Sequence, residues 1–502
     1  MKQILVILFS VLMLNSQAQI DIKPNILTIE MPHKLTEGRE PEIFCFQNNT
    51  FAIVDINGGL LNIKHYSAEF SLLNEESIEI EEWNINEPHW DKNNRIYFFG
   101  RNLVTGCVFY YDAIDQKMIQ KNLDWAQEAS LNMTGFVPYD NGWIACSQVF
   151  GISNFKEVNR KKTLKGINIF DLENNKVNVF PIVLDGEDNG RINCFAINYM
   201  KQSNMIAAAV TLNESGIGNF SVHLLIYDMK GTLIAHHPVE LESGLLPKST
   251  NLIEVGMMEF VMMGIAVNPK NDDASLYKLR YNENSIEEFE YEDANSIFTE
   301  ECAGETHTTD FRAKSVWINS PALADYSIHP PIYTNDGFYY LVERSFPIKI
   351  YVLDVKTNSR SIRQFGYNTD FSYLLKFDQN ANFVWSNCIE ITLEYTPTHL
   401  YDLVAMDATP SRNIKLAYIG VSELKSKTFD ANGNVVKPAN STTLFEMQTS
   451  GNNLPIPKTG SEFDFYRTSY IEKSRVYHLQ GNSFLGCHIL KNSLEIKKFE
   501  FE

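Results

Sequence analysis

The sequence predicts an all-β protein folded as a single β-propeller of about seven four-stranded blades, with six and eight as the alternatives. Three observations predict it. Short runs rich in Ile, Val, Phe and Tyr alternate along the chain with turns of Asn, Asp, Gly and Lys, and helical periodicity is scarce. A unit of strand, Asp, turn and second strand recurs. Several strands are apolar on both faces, so each needs one sheet above it and another below, which blades stacked around an axis supply.

In chain order, the first residues read MKQILVILFSVLMLNSQAQ. Lys2 is the positive start, Ile4 to Leu14 the apolar run, and Ser16-Gln17-Ala18 the small-x-small exit of a cleavable signal peptide over residues 1–18. That run is shorter than the ~18 apolar residues a membrane anchor needs. The first cysteine is Cys45, so no cysteine stands where a lipid would be attached. Residues 19–502 are therefore expected to be exported, to the periplasm or the medium, and to form one propeller domain. Ile26 to Glu30 is the strand expected to complete the last blade and close the ring, which removes exposed sheet edges.

PHWDKNNRIYFFG, residues 88–100, sets a polar turn before a doubly apolar strand, and FAINYMKQSNMIAAAV (195–210) and DATPSRNIKLAYIG (407–420) follow the same plan. The Asp-turn unit appears as VFYYDAIDQKMIQ (108–120), INIFDLENNKVNVF (167–180), LLIYDMKGTLIAHH (224–237), IYVLDVKTNSRSI (350–362) and YLLKFDQNANFVW (373–385). LYKLRYNENSIEEF (276–289) carries Asn282 in place of Asp. Asp or Asn suits this position because its side chain bonds a backbone N–H two residues on and starts the reversal. Strand-pair seeds lie near 51–65, 95–119, 142–183, 204–240, 258–292, 337–392, 414–447 and 475–500. Merging the last with the N-terminal strand leads to the expectation of seven blades. The best helical stretch is Leu123 to Leu131, and residues 293–335 are the expected insertion. A pair of β-sandwiches is the rival fold, disfavoured because sandwiches show no fixed internal unit.

PHWDKNNRIYFFG resembles the TolB-type, WD40-like propeller repeat: Pro88, Trp90, Asp91, Ile96 and Phe98 occupy its positions. Asn93 and Asn94 stand where the repeat usually has Gly after the turn Asp. FDQNANFVW and FDANGNVV resemble hairpins of exported propeller proteins of Bacteroidota. The resemblance implies fold and lineage and carries no catalytic residue, since propellers host many unrelated functions.

Chemistry is sparsely written. A net charge of −19 opposes nucleic acid, whose binding leans on Lys and Arg. DGEDNG (185–190) offers Asp185, Glu187, Asn189 and Gly190 like half a calcium loop, but Ala196 stands where the bidentate Glu belongs. The acidic run Glu283 to Glu305, beside Cys302 and His307, reads as a solvated loop, with a cation site as its functional alternative. His236-His237 reads as hairpin surface, with metal binding as the alternative. Cys45, Cys107, Cys146, Cys194, Cys388 and Cys487 sit in apolar runs and read as buried reduced thiols, with Cys302 the exposed one. The G-x-S-x-G elbow, H-E-x-x-H and the sialidase S-x-D-x-G-x-x-W box are all missing from the sequence. Aromatic residues, 12% of the chain, serve the core before any sugar platform. The expectation is a monomeric, non-catalytic binding or scaffold module for a protein or glycan ligand, with no catalytic, cofactor or metal residue assigned. The alternative is a glycoside hydrolase whose carboxylates come from separate blades.

Overall fold

The computed structural model describes residues 26–31, 41–85, 88–90, 94–102, 106–125, 129–139, 141–149, 164–182, 184, 191–213, 220–239, 241, 245–267, 274–282, 285–293, 325–329, 331–354, 359–396, 404–408, 413–419, 423–443, 473–489 and 493–500. Residues 1–18, the expected signal peptide, lie outside this set. Every regular element in it is a strand.

The strands form antiparallel blades in which sequence neighbours pair in order. Blades one to eight span residues 42–79, 84–125, 129–181, 191–239, 246–293, 325–396, 404–443 and 473–500, the eighth completed by Ile26–Glu30. Blades two and three share one hydrogen-bonded sheet only through a short parallel bridge, Asp124 and Trp125 against Lys176 and Val177. From the third blade round to the first, each blade's innermost strand touches the next blade's innermost strand. The eight blades make one ring, which corrects the expectation of seven. Each seed is a blade, and the closing strand Ile26–Glu30 was never a seed, so merging it removes none. It pairs with Ser493–Glu500 as the outermost strand, Leu27 opposite Ile496 and Ile29 opposite Leu494.

The second strand of each blade is the twice-buried one. Ile96, Tyr97, Phe98 and Phe99 in the opening motif are all buried. Alternation divides such a strand between two cores. Phe51 and Ile53 pack with Leu485 and Cys487 of blade eight, while Ala52 and Val54 pack with Phe98 and Phe109 of blade two. Burying a Phe or Ile side chain this way contributes about 1.5–3 kcal/mol, so the inter-blade seams carry most of the stability.

The Asp turns link the third strand to the fourth. Asp112 Oδ1 accepts from Ile114 and Asp115 N–H, Asp228 Oδ1 from Lys230 and Thr232, and Asp378 Oδ1 from Asn380 and Asn382. Asp171 and Asp430 do the same. The copy at 350–362 is different. Gly337–Asp354 and Ser359–Phe377 pair along almost their whole length, so Asp354 ends the second strand of blade six and lies between strands two and three. The fifth Asp turn is the FDANGNVV hairpin at Asp430.

Three further expectations change. Leu123 to Trp125 finish the outer strand Lys117–Trp125, and Ala129 begins Ala129–Tyr139. The weak helical period there yields to sheet pairing. Ser285–Asp293 is the outermost strand of blade five, so the start of the acidic run is strand and not loop. Charge suits such an edge, because it discourages pairing with another chain. Asp325–Ile328 and Ile332–Thr334 belong to blade six, which confines the expected insertion at 293–335 to the connection 294–324.

Candidate functional site

The ring has two unlike faces. At one, strands one and two and strands three and four are joined by tight turns. Several are closed by residues with positive φ, among them Asn49, Asn175 and Asn204. At the other lie the connections between strands two and three and between successive blades, which run from the two-residue Gly58-Gly59 turn of blade one to the long stretches 150–163, 294–324 and 444–472. Loops on a rigid frame are where binding residues collect.

Polar groups at the tight-turn end are committed to the fold. The Asp turns of blades two, three, six and seven present backbone carbonyls to the preceding blade. Asn74 Nδ2 donates to Gln116 O at 2.6 Å, Lys121 Nζ to Leu172 O at 2.8 Å, and Arg280 to Asn380 O at 2.6 Å. Trp385 Nε1 donates to Ala431 O at 2.9 Å and Asn387 Nδ2 to Gly433 O at 2.8 Å. Glu254 accepts from the Gln202 and Ser203 N–H groups. The nearly buried Lys376 ammonium lies 2.7 Å from Asp336 and over the Tyr339 ring, and it holds the Asp336 carboxyl below its usual range.

The opposite end has a different set of buried polar side chains, and they gather in three consecutive seams. Glu343, on the second strand of blade six, is wholly buried and alternates with Tyr339 and Leu341, which pack against Leu416 of blade seven. Ser327 and Ser372 stand opposite it on the flanking strands. His329 Nε2 lies 3.2 Å from Glu343 Oε2, an ion-pair distance without the alignment of a good hydrogen bond. Ser372 Oγ has no hydrogen-bond partner among the described residues. His488, near the end of the second strand of blade eight, sits on the face that Phe484 turns toward blade seven. Burial first, and Lys497 second, lower its pKa to about 4. Asp55 of blade one and Arg475 of blade eight are buried at the seam that closes the ring, by alternation with Ile53 and Tyr477.

Removing such groups from water is costly unless they are paired. Carboxylate, guanidinium, imidazole and hydroxyl groups gathered under loops can hold a ligand's hydroxyls, amides or charge. Each marks its place in the sequence as one charged or polar residue near the end of an apolar run: Asp55 in FAIVDI, Glu343 in YYLVER, His488 in FLGCHIL. That signal was legible, but not its convergence on neighbouring seams.

The candidates read from sequence fare unevenly. Residues 185–190, Cys302 and His307 lie outside the described residues. His236 and His237 share the strand Leu233–Val239, where consecutive side chains face opposite ways. His237 lies against Tyr281 of blade five, while His236 Nε2 is 2.9 Å from His223 Nδ1. The adjacent histidines do not form a joint site. Cys45, Cys107, Cys146, Cys194 and Cys487 are free, as expected. Cys388 is disulfide-bonded, which corrects the expectation of a reduced thiol there. It sits on the outermost strand of blade six and is only half-buried, so the apolar run around it does not seal it in the core. Among the described residues no group of three or more His, Cys, Asp or Glu could hold a metal ion.

No family model matches the chain, and no curated protein matches it. Among solved structures it is similar to the Dos1 propeller, at 8% identity over 94% of each chain with a TM-score of 0.42. Prolyl oligopeptidase B from Galerina marginata matches at 6% identity and a TM-score of 0.39, over 92% of this chain and 55% of the peptidase. An apocarotenoid oxygenase from Synechocystis matches at 8% identity and a TM-score of 0.30, over 50% of this chain and 64% of the oxygenase. The aligned chain thus spans little more than half of the peptidase and under two-thirds of the oxygenase. None of these likenesses brings an activity to this chain, whose β-propeller fold stands on its own eight blades.

Proposed function

We propose that the protein is an exported, monomeric, non-catalytic binding propeller that takes a protein or glycan ligand on the face of its long connections. The observation that carries this reading is the split of polar groups between the faces. Hydrogen bonds at the tight-turn end lock blade to blade, and buried Asp55, Glu343, Ser372, Arg475 and His488 gather toward the other end in the seams of blades six, seven, eight and one. The lineage we infer is that of exported TolB-type propellers, on the strength of residues 88–100.

A glycan and peptide array with residues 19–502, run beside a panel of glycosidase substrates, tests the binding reading. A saturable array hit that weakens at least tenfold in Glu343→Gln or Asp55→Asn supports it. Turnover of any panel sugar, abolished by either substitution, overturns it in favour of a hydrolase with carboxylates from separate blades. N-terminal sequencing of protein recovered from the medium or envelope tests export, and an intact Met1 on a cytoplasmic species would refute it.

A further inference from the structure

We propose that His223 and His236, on the two outer strands of blade four, form a binding site for a divalent transition metal with tetragonal preferences, of the Cu2+ or Ni2+ kind. His223 lies on Phe220–Asp228 and His236 on Leu233–Val239. Leu225 stands opposite His236 and His223 is two residues before it, so the two imidazoles are diagonal neighbours on one face of the sheet. His223 Nδ1 and His236 Nε2 are 2.9 Å apart, and the ring centroids 5.0 Å apart.

Whichever ring donates in that contact, a single proton lies between two nitrogens. A cation that replaces it gains two ligands from side chains already held together, and the proton leaves for solvent or for the other nitrogen of its own ring. With metal–nitrogen bonds of about 2.0–2.1 Å, nitrogens about 2.9 Å apart subtend roughly 90°, the angle of square-planar or tetragonal sites. Tetrahedral geometry would put them about 3.3 Å apart. The outer shell is also present. His223 Nε2 is 2.8 Å from Ser221 Oγ, and in the tautomer whose Nε2–H donates to that hydroxyl, Nδ1 carries the lone pair that ligates. His236 is exposed, so the remaining coordination positions open to water or to a ligand's own donor atoms.

The test is calorimetric titration of Ni2+ and of Cu2+ into the full chain. One saturable site in the micromolar range is expected. His223→Ala and His236→Ala should each weaken it at least tenfold, Ser221→Ala by a smaller factor, and His237→Asn not at all. Electron paramagnetic resonance of the Cu2+ complex should show two imidazole nitrogens in the parent and one in either alanine variant. Protection of His223 and His236 from diethyl pyrocarbonate by Ni2+, read by peptide mass, provides a readout that needs no variant to fold. Unchanged affinity in the double alanine variant, or equal modification of both histidines with and without Ni2+, overturns the proposal.

Discussion

His65 sits wholly buried in blade one, with Nε2 2.7 Å from Thr50 Oγ and Nδ1 3.1 Å from the Tyr111 hydroxyl of blade two. Burial lowers its pKa from 6.5 to about 4, as it does for His488. Both are bases favoured neutral in the folded state, so the unfolded chain takes up protons first as pH falls. Stability is full above 6.5, falls progressively between 6.5 and about 4, and falls no further from these groups below that. Each shift amounts to about 3 kcal/mol. Melting temperature is therefore expected to drop between pH 7 and pH 4, and less steeply in His65→Gln; equal slopes would refute this origin. The turn and ion-pair carboxylates act lower. Asp112 and Asp336 have pKa values depressed in the fold, so their contribution is present above the usual carboxylate range and is lost as pH falls through it. The thiols give a second prediction at this scale. Denatured, unreduced protein should titrate five thiols and reduced protein seven, since five of the seven cysteines are free and Cys388 is bonded. A count of seven without reductant would contradict the disulfide.

At the scale of the element, the Asp turn both reverses the chain and locks one blade to the blade before it. The turn of blade four shows the dependence on shape. Gly231 has φ +83°, and a Cβ there would overlap the ring of Phe180 on the outer strand of blade three. Gly231→Ala should cost about 1–2 kcal/mol through strain and displacement of that ring. In a Phe180→Ala background part of the cost should vanish, and urea unfolding of the four-member mutant cycle measures the difference. Strict additivity would place the whole effect in the backbone. The second-strand hairpins also behave as a unit: residues 88–100, 195–210 and 407–420 all join a first strand to a second. The copy at 350–362 imitated the Asp turn because Asp starts any reversal. Its place between strands two and three is set by the pairing of Gly337–Asp354 with Ser359–Phe377, which no local pattern contains.

For the whole molecule, closure rests on five residue pairs between Ile26–Glu30 and Ser493–Glu500, together with Ile29 packed among Ile43, Leu494 and Ile496. Without them the third strand of blade eight becomes an open edge and the core between blades eight and one loses one wall. Ile29→Asp should destabilise the ring by about 3 kcal/mol or more, since it buries an unpaired charge. Concentration-dependent association should follow from the exposed edge. Light scattering and urea unfolding check both. A variant as stable and monodisperse as the parent would show that closure depends on other contacts.

Local chemistry by itself determined the strand class, the turn residues, the twice-buried second strands and the eight seeds. Each of these is written within about fifteen consecutive residues by alternation and turn chemistry. What joins distant residues was decided only by the tertiary structure. Blade count depends on which strand completes which sheet, and Ile26–Glu30 meets its partner at the far end of the chain. The gathering of Glu343, His488, Asp55 and Arg475 into three consecutive seams follows from blades six, seven, eight and one being neighbours, and His223 meets His236 through the register between two strands. Alternation assigns a side chain to a face, but ring closure and register decide what that face meets.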